Sequence, residues 1–263
     1  MRVNEDLAVS ASSVLLVPYD AHHVGRYHEW MQDEDLREAT ASDLLTLEEE
    51  YENQQSWRTA HDKLTFIVCQ PATCNSTSSA SVPVETEPDT DATTSASVIY
   101  AGEDDVDARM VGDVNLFLTP DDNDDDDDGK DVGEGNSGIR DVKGEIDIMI
   151  ANPEHRRKGL GESVVCAFLT VLRGHRDAIL DEYIRGQNAE IPSTDQCQIR
   201  LSRLVAKINA ENKGSIRLFE NLGFRRHGEP DYFNEITMVL LDSDGLGCAG
   251  YRECLYDRSR LKR

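Results

Sequence analysis

The chain has 263 residues and a formal net charge of -24 at pH 7, much of which comes from two acidic stretches. Residues 70–109 contain eight acidic residues and one basic residue, and residues 119–143 contain ten acidic and three basic residues. Because phosphate contacts require a basic surface, this composition argues against general nucleic-acid binding. The sequence has no apolar run of the roughly 18 residues that a membrane span needs, so no membrane association is expected.

The first ten residues and the cysteines indicate a cellular compartment. Met1 to Ser10 is polar and acidic, unlike a secretory signal peptide. The six cysteines lack the short spacings of a zinc site, and His22 and His23 have no partners at ligand spacing, so we expect reduced thiols and no metal site. These features predict a cytoplasmic protein and leave a nuclear location open.

Hydrophobic periodicity predicts the elements of the first half of the chain. A strand, two helices and two further strands are expected, in this order: Ser12–Asp20, Asp20–Gln32, Thr46–Trp57, Lys63–Gln70 and Met110–Leu118. Thr46 and Glu49 have the spacing of a capping box, which predicts the start of the second helix. Gly112 indicates a bulge in the last of these strands.

The second half is predicted to alternate strands and helices: Lys143–Pro153, Gly161–Arg173, Leu201–Asn209, Asn212–Phe224 and Asp231–Leu241. The first of these strands alternates, which predicts two faces: Ile146, Ile148 and Ile150 against Glu145, Asp147 and Met149. Gly223 is expected to end the last helix.

The two acidic stretches lie inside strand-to-strand connections, and their low-complexity composition predicts disorder. We therefore expect a single domain at residues 1–241 with disordered insertions at 70–109 and 119–143. Residues 242–263 are expected to form a loose tail that changes from polar to basic.

A basic, glycine-containing turn before the helix at Gly161–Arg173 predicts an anion-binding site. Arg156, Arg157 and Lys158 supply charge, and Gly159 and Gly161 let the backbone approach a phosphate at a helix N-terminus. A solvated basic turn before an ordinary helix fits the motif equally well. The turn matches neither a Walker loop nor a dinucleotide fingerprint.

A second motif follows the strand at Leu201–Asn209. The side-chain amides of Asn209 and Asn212 could bind a ligand along the strand edge. Capping of the next helix is the alternative, and for Asn212 alone it is the favoured one.

Taken together, the strand, Arg-x-x-Gly-x-Gly, helix, strand, Asn-x-x-Asn-x-x-Ser-Ile, helix and Leu-Gly-Phe resemble the GNAT superfamily of acetyl-CoA-dependent N-acetyltransferases. The resemblance covers Val14 to Leu241 without the insertions. The N-terminal half is similar to the eukaryotic N-acetyltransferase 9 branch, which is linked in name to tubulin. The resemblance implies an α/β GNAT fold with a mixed, mostly antiparallel central sheet flanked by helices.

The resemblance also implies the residues that bind acetyl-CoA. Backbone groups of one strand end would bind the pantetheine arm: Met149, Ile150 and Ala151. The turn and the first helical turn would hold the pyrophosphate: Arg156, Arg157, Lys158, Gly159, Leu160, Gly161 and Glu162. Asn209 and Asn212 would face the pantetheine and thioester end.

For the chemistry, related enzymes place a base on the strand at Lys143–Pro153, which makes Glu145 and Asp147 the candidates. Surface salt bridges are the alternative role for these two carboxylates. Many family members protonate the leaving thiolate with a tyrosine, but Phe219 occupies that position here. Ser215 or Tyr232 could replace it, and the sequence does not decide between them.

The expected function is acetyl transfer from acetyl-CoA to an α-amine or lysine of a protein, with tubulin as one candidate substrate. Tubulin surfaces are acidic, so the basic tail would be a better docking segment than the acidic insertions. The first alternative is a non-catalytic GNAT-fold module that binds acetyl-CoA and a protein partner. The second is an interaction protein whose acidic segments recruit basic partners.

Overall fold

A computed structural model describes residues 1–71, 97–121, 139–187, 198–241 and 250–261. These residues contain six α-helices: α1 Val24–Trp30, α2 Glu34–Ala39, α3 Leu47–Thr59, α4 Leu160–Gly174, α5 Arg176–Gln187 and α6 Lys213–Asn221. They also contain ten strands: β1 Leu7–Ser10, β2 Leu15–Pro18, β3 Lys63–Cys69, β4 Val98–Tyr100, β5 Met110–Pro120, β6 Ile139–Ile150, β7 Gln198–Asn209, β8 Arg225–His227, β9 Glu235–Leu240 and β10 Arg252–Asp257.

The strands form one sheet in the order β4-β10-β1-β2-β3-β5-β6-β7-β9-β8. Two neighbouring pairs are parallel, β10 with β4 and β6 with β7, and the other pairs are antiparallel. The predicted α/β fold with a mixed, mostly antiparallel sheet is therefore confirmed.

Each face of the sheet buries its own apolar core, as the alternation in β6 predicts. Ile146 lies in the core that α4 and α6 cover, together with Phe168 and Phe219. Met149 points to the opposite face and lies in the core that α1 covers, together with Trp30. Helices thus cover part of both faces of β6, and Glu145 and Asp147 lie on the Met149 face.

Short sequence motifs correctly predicted several local features of the helices and strands. Thr46 and Glu49 form the predicted capping box at the start of α3. Gly223 adopts φ 87°, a left-handed conformation that only glycine reaches easily, just after α6. The β3–β5 register shifts between Val68 and Cys69, opposite the predicted bulge at Gly112.

The C-terminal prediction is wrong for residues 252–257, because β10 pairs with β1 and β4 inside the sheet. The predicted insertions are also too wide. Residues 98–100 form β4, and β5 and β6 extend to Pro120 and from Ile139. The remaining parts of both insertions, 72–96 and 122–138, lie outside the described residues.

The cysteines and the helices bear on two further expectations. Cys69 and Cys254 are free and buried. Cys166 is disulfide-bonded, so the expectation of reduced cysteines is wrong for Cys166. No helix in the described part of the chain has the length and apolar character of a membrane span.

Candidate active site

β6 and β7 separate partway along their length, and this opens a gap in the sheet. Their parallel pairing runs from Ile139 opposite Gln198 to Glu145 opposite Val205. Beyond this point β6 continues beside β5 as far as Ile150, and β7 continues beside β9. The C-terminal ends of two parallel neighbours therefore lie side by side without pairing to each other.

The backbone of Ile150 faces this gap. The Ala151 N–H donates to the Val111 carbonyl at 2.9 Å, so the backbone of Ala151 turns toward β5. Backbone groups of successive strand residues point to opposite sides, so Met149 also turns toward β5 and Ile150 turns toward β7. Of the three residues predicted to bind a pantetheine arm, only Ile150 directs its N–H at the gap.

The N-terminus of α4 follows directly and has the features of an anion site. Gly159 is the N-cap in a left-handed conformation (φ 79°) and has no side chain that could cap the helix. The Ser163 N–H already bonds the Gly159 carbonyl, whereas the three preceding amides belong to the unpaired first turn: Leu160, Gly161 and Glu162. These amides and the helix dipole favour a negative ligand.

The three basic residues of the turn have different roles. Arg156 folds back and donates to the carbonyls of Ile150 at 2.8 Å and Ala151 at 3.1 Å, which fixes the turn. Arg157 and Lys158 are exposed, and neither forms an ion pair with a described residue. Arg157 and Lys158 are therefore the charges available to an anion.

The two glycines of the motif also differ. A Cβ on Gly161 would lie 2.7 Å from Leu218 Cδ1, so Gly161 allows α4 to approach α6 closely. A Cβ on Gly159 would meet no atom within 4 Å, but the φ of 79° strains any other residue. Sequence reasoning gave both glycines to the phosphate, whereas the packing gives Gly161 a structural role as well.

Asn209 and Asn212 lie at the end of β7 and the start of α6. Asn212 Oδ1 accepts from the Ser215 N–H at 3.1 Å, which makes it the N-cap of α6. Asn209 Oδ1 accepts from the Glu211 N–H at 2.9 Å. Both carboxamides thus stabilise the chain after β7, and contact with a cofactor stays a prediction.

Glu145 and Asp147 share one face of β6 but have different partners. Glu145 lies 3.6 Å from the Lys207 ammonium, whereas Asp147 has no ion pair among the described residues. Burial raises the pKa of Asp147 to about 7, as do three neighbouring carboxylates: Glu145, Asp113 and Glu235. Asp147 is an exposed residue, which limits the desolvation of its carboxylate, so the neighbouring charges are the firmer cause of the raised pKa. A pKa near 7 suits a general base at neutral pH.

A buried polar cluster next to Asp147 was missed by the sequence reasoning. Asp113 on β5 accepts from Tyr27 Oη and Asn115 Nδ2, each at 3.2 Å. Asp113 is 2% exposed, and burial raises its pKa to about 6 against these hydrogen bonds. The available signal was two polar residues at alternate positions of an otherwise apolar strand, Val111–Leu118.

The residues considered for protonating the leaving thiolate differ in their surroundings. Phe219 is 2% exposed and packs edge-on against Phe224, so it belongs to the core. Ser215 is half-buried in the first turn of α6, and the helix cap uses its backbone N–H and not its hydroxyl. Tyr232 is 96% exposed on the turn before β9. Among the described residues, the structure thus offers no buried tyrosine at the family position.

His22 and His23 do gain a partner that the sequence reasoning missed, Asp105. Asp105 Oδ2 lies 3.1 Å from His22 Nε2 and 3.0 Å from His23 Nε2, close enough for a metal site. However, the Asp20 N–H donates to His23 Nδ1, so the neutral His23 ring carries its proton on Nε2. That nitrogen donates to Asp105, and the cluster fits a hydrogen-bond network better than a metal centre.

A gap between parallel strands that ends at an uncapped, basic helix N-terminus is the arrangement expected from the sequence resemblance. The family model for the acetyltransferase (GNAT) domain matches residues 13–225. The chain therefore belongs to the GNAT acetyltransferase family and is an acyltransferase.

Curated relatives define the branch within this family. The chain is 35% identical to the "N-acetyltransferase 9-like protein" of Schizosaccharomyces pombe over 92% of this chain and 99% of that protein. It is 34% identical to the "Alpha/beta-tubulin-N-acetyltransferase 9" of Drosophila melanogaster, over 90% of this chain and 88% of the relative. The human protein of the same name is also 34% identical, over 93% of this chain and 87% of the human protein. These similarities place the chain in the N-acetyltransferase 9-like branch.

Among solved structures, spermidine N-acetyltransferase from Vibrio cholerae aligns with 91% of this chain and 98% of its own. The TM-score is 0.49 and the identity 14%.

Proposed function

We propose that this chain is an acetyl-CoA-dependent protein N-acetyltransferase and that its acceptor is an amine of tubulin. The main structural support for acetyl transfer from acetyl-CoA is the gap between β6 and β7, which ends at the uncapped N-terminus of α4. The tubulin proposal is supported by the names of the fly and human relatives. A cytoplasmic location is part of the same proposal, and imaging of the tagged chain in cells tests it.

The proposed cofactor site uses groups whose geometry fits acetyl-CoA. The open amides of Leu160, Gly161 and Glu162 and the charges of Arg157 and Lys158 would hold the pyrophosphate. The backbone of Ile150 would bind the pantetheine arm in the gap. Bound there, acetyl-CoA would supply the acetyl group as a thioester with coenzyme A as leaving group.

Asp147 is the preferred general base. An amine attacks only when neutral, so a base must take its proton. Asp147 has a pKa of about 7 and no ion pair among the described residues, whereas Lys207 lies beside Glu145. An α-amine, with a pKa of about 7.7–8.0, needs less help than a lysine, with about 10.4. This favours an α-amine as the acceptor.

The leaving group would depart without a protein acid at the Phe219 position. Coenzyme A thiolate is a good leaving group, so solvent can protonate it. A buried phenylalanine in this position is also what the non-catalytic alternative would show. A measurement of turnover distinguishes an active acetyltransferase from the non-catalytic module.

The test measures coenzyme A release from acetyl-CoA with purified tubulin and with peptides carrying tubulin N-termini. Gly159→Trp places an indole over the α4 amides and should abolish turnover. Gly250→Trp is the matched control, because Gly250 also has a left-handed φ (93°) and open space around its Cβ position. The control should keep wild-type activity.

Three outcomes decide the proposal. Turnover that is lost only in Gly159→Trp supports an acetyltransferase with its cofactor at α4. Acetyl-CoA binding without turnover on tubulin or its peptides overturns the tubulin proposal and favours the non-catalytic module. Equal turnover of wild type and Gly159→Trp overturns the proposed cofactor site.

A further inference from the structure

The carboxamide of Asn115 has one unused acceptor next to the candidate base. Asn115 is 5% exposed, and its Oδ1 finds no hydrogen-bond partner among the described residues. In the sheet register Asn115 lies between Thr65 on β3 and Asp147 on β6. A buried acceptor without a partner costs free energy, which makes it a candidate for ligand binding.

Asp113 sets the orientation of this carboxamide. An ionised carboxylate accepts hydrogen bonds only, so it binds the Nδ2 end of Asn115 and repels the Oδ1 end. Tyr27 donates to the same Asp113 oxygen and holds the carboxylate from the helix side. Asn115 Oδ1 is therefore directed away from Asp113.

The electrostatic surroundings favour a cation. Four carboxylates on three strands act on this part of the sheet face: Asp113, Glu145, Asp147 and Glu235. The opposing charge is Lys207, which lies 3.6 Å from Glu145. The titratable groups on the helix side of Asp113 are Tyr27 from α1, Glu50 from α3 and Tyr19, which follows β2. The carboxylates outnumber the lysine, so this part of the sheet face attracts a positively charged group. An acceptor amine carries such a charge before it loses a proton.

We propose that Asn115 and Asp147 together form the seat of the acceptor amine and select a primary amine. This inference rests on the proposed function. An ammonium has three N–H donors: one binds Asp147 and a second binds Asn115 Oδ1. Asp147 then takes a proton, and the N–H bond to Asn115 orients the lone pair. The new N–C bond forms as the thioester C–S bond breaks, and the second proton of the amine passes through solvent to the departing coenzyme A thiolate.

The first test requires no mutation. Peptides with tubulin N-termini are prepared with a free α-amine and with an N,N-dimethylated α-amine, which keeps the positive charge but has one N–H. Calorimetry measures their binding to the coenzyme A-saturated protein. The free amine should bind about tenfold or more tightly, the worth of one hydrogen bond to a charged group. Equal binding, or no binding of either peptide, overturns the seat.

The second test removes the acceptor. Asn115→Leu should lower kcat/KM for the amine about 10- to 100-fold and erase the preference for the primary amine, with an unchanged Kd for acetyl-CoA. Asn115→Ser, whose hydroxyl both donates to Asp113 and accepts an N–H, should recover part of the loss. If Asn115→Leu does not fold, a comparison of Asn115→Ser with wild type still measures how much Asn115 contributes to kcat/KM for the amine.

Thr65→Val is the matched control, because Thr65 is the other cross-strand neighbour of Asn115 and its Oγ1 also lacks a partner among the described residues. It should leave kcat/KM and amine preference unchanged. If Thr65→Val has the same effect as Asn115→Leu, a buried water between the two side chains explains Asn115 and the proposal fails. If wild type binds the free amine selectively but turns over no peptide, the proposed function fails while the seat stands.

Discussion

Glu145 and Asp147 are two residues apart on one face of β6, yet their surroundings give them different chemistry. Lys207 forms an ion pair with Glu145, whereas desolvation and three neighbouring carboxylates raise the pKa of Asp147. A carboxylate that keeps its proton up to neutral pH is also a stronger base once it has lost it.

We expect Asp147→Asn to lower kcat about 100- to 10,000-fold, the usual contribution of a general base. Glu145→Gln should leave kcat at high pH nearly unchanged. In wild type kcat/KM should fall as the pH drops below about 7, because Asp147 becomes protonated. Glu145→Gln removes a charge that raises the pKa of Asp147, so this fall should move to lower pH.

Initial rates of coenzyme A release across the neutral pH range check this prediction. A pH profile that is the same in wild type and Glu145→Gln would contradict the assignment of the base. A larger loss in Glu145→Gln than in Asp147→Asn would reverse the roles of the two residues.

The two candidates could be predicted from the sequence because alternation in one strand puts Glu145 and Asp147 on the same face. Their ranking could not, since it depends on Lys207 and Asp113, which reach them only through the sheet register. The proposed role of Asn115 could not be predicted from the sequence either, because it depends on a side-chain oxygen that has no hydrogen-bond partner among the described residues.

At the scale of an element, side-chain hydrogen bonds attach β10 and the residues that follow it to the rest of the fold. Tyr256 Oη donates to Asp105 Oδ2 at 2.5 Å, and Arg258 Nε binds Asp20 at 2.6 Å. Arg260 binds Glu103 at 3.1 Å. Two basic residues of the tail that was expected to dock to tubulin, Arg258 and Arg260, are thus engaged within the fold. Lys262 and Arg263 lie outside the described residues.

Tyr256→Phe should lower the free energy of unfolding by about 2 kcal/mol, because it removes a hydrogen bond to a buried carboxylate, worth about 1.5–3 kcal/mol. Tyr251→Phe is the control, since Tyr251 Oη donates to the neutral Ser163 carbonyl at 3.0 Å. It should cost about 1 kcal/mol or less. Urea denaturation measures both, and equal costs would contradict a special role for Asp105.

β10 could not be predicted because its six residues contain only two inward-facing apolar side chains, Cys254 and Tyr256. Its partners β1 and β4 are more than 150 residues away in the sequence. By contrast, α4 has a long apolar stripe and α3 a capping box, both local signals. Elements with internal periodicity were thus predictable, and elements held by distant partners were not.

At the scale of the whole molecule, the second acidic insertion joins two neighbouring antiparallel strands. Pro120 pairs with Val142, and the Asp121 N–H donates to the Asp141 carbonyl at 3.0 Å, so the strand ends are close together. Residues 122–138 contain eight acidic residues and one basic residue. The connection could therefore be much shorter without disturbing the sheet.

Replacing residues 122–138 with a short glycine-containing turn should change the free energy of unfolding by less than about 1 kcal/mol, because loop-closure entropy varies slowly with length. It also removes eight acidic residues and one basic residue, a net seven negative charges. Because tubulin is acidic, KM for tubulin should fall at low ionic strength and return toward the wild-type value at high salt. A variant of full length with serine in place of the acidic residues separates charge from length. A KM that is unchanged at low salt would contradict the prediction.

The separation of β6 and β7 gives the sheet two additional edges in its interior, besides the outer edges at β4 and β8. Exposed strand edges invite pairing with strands of other molecules, which is a route to aggregation. Here each inner edge faces the other across the gap, so a broad foreign sheet cannot lie alongside either one. A single slender chain entering along the strand direction can still reach the backbone groups on both sides. The gap between β6 and β7 therefore admits a narrow extended ligand and at the same time excludes the edge of another sheet.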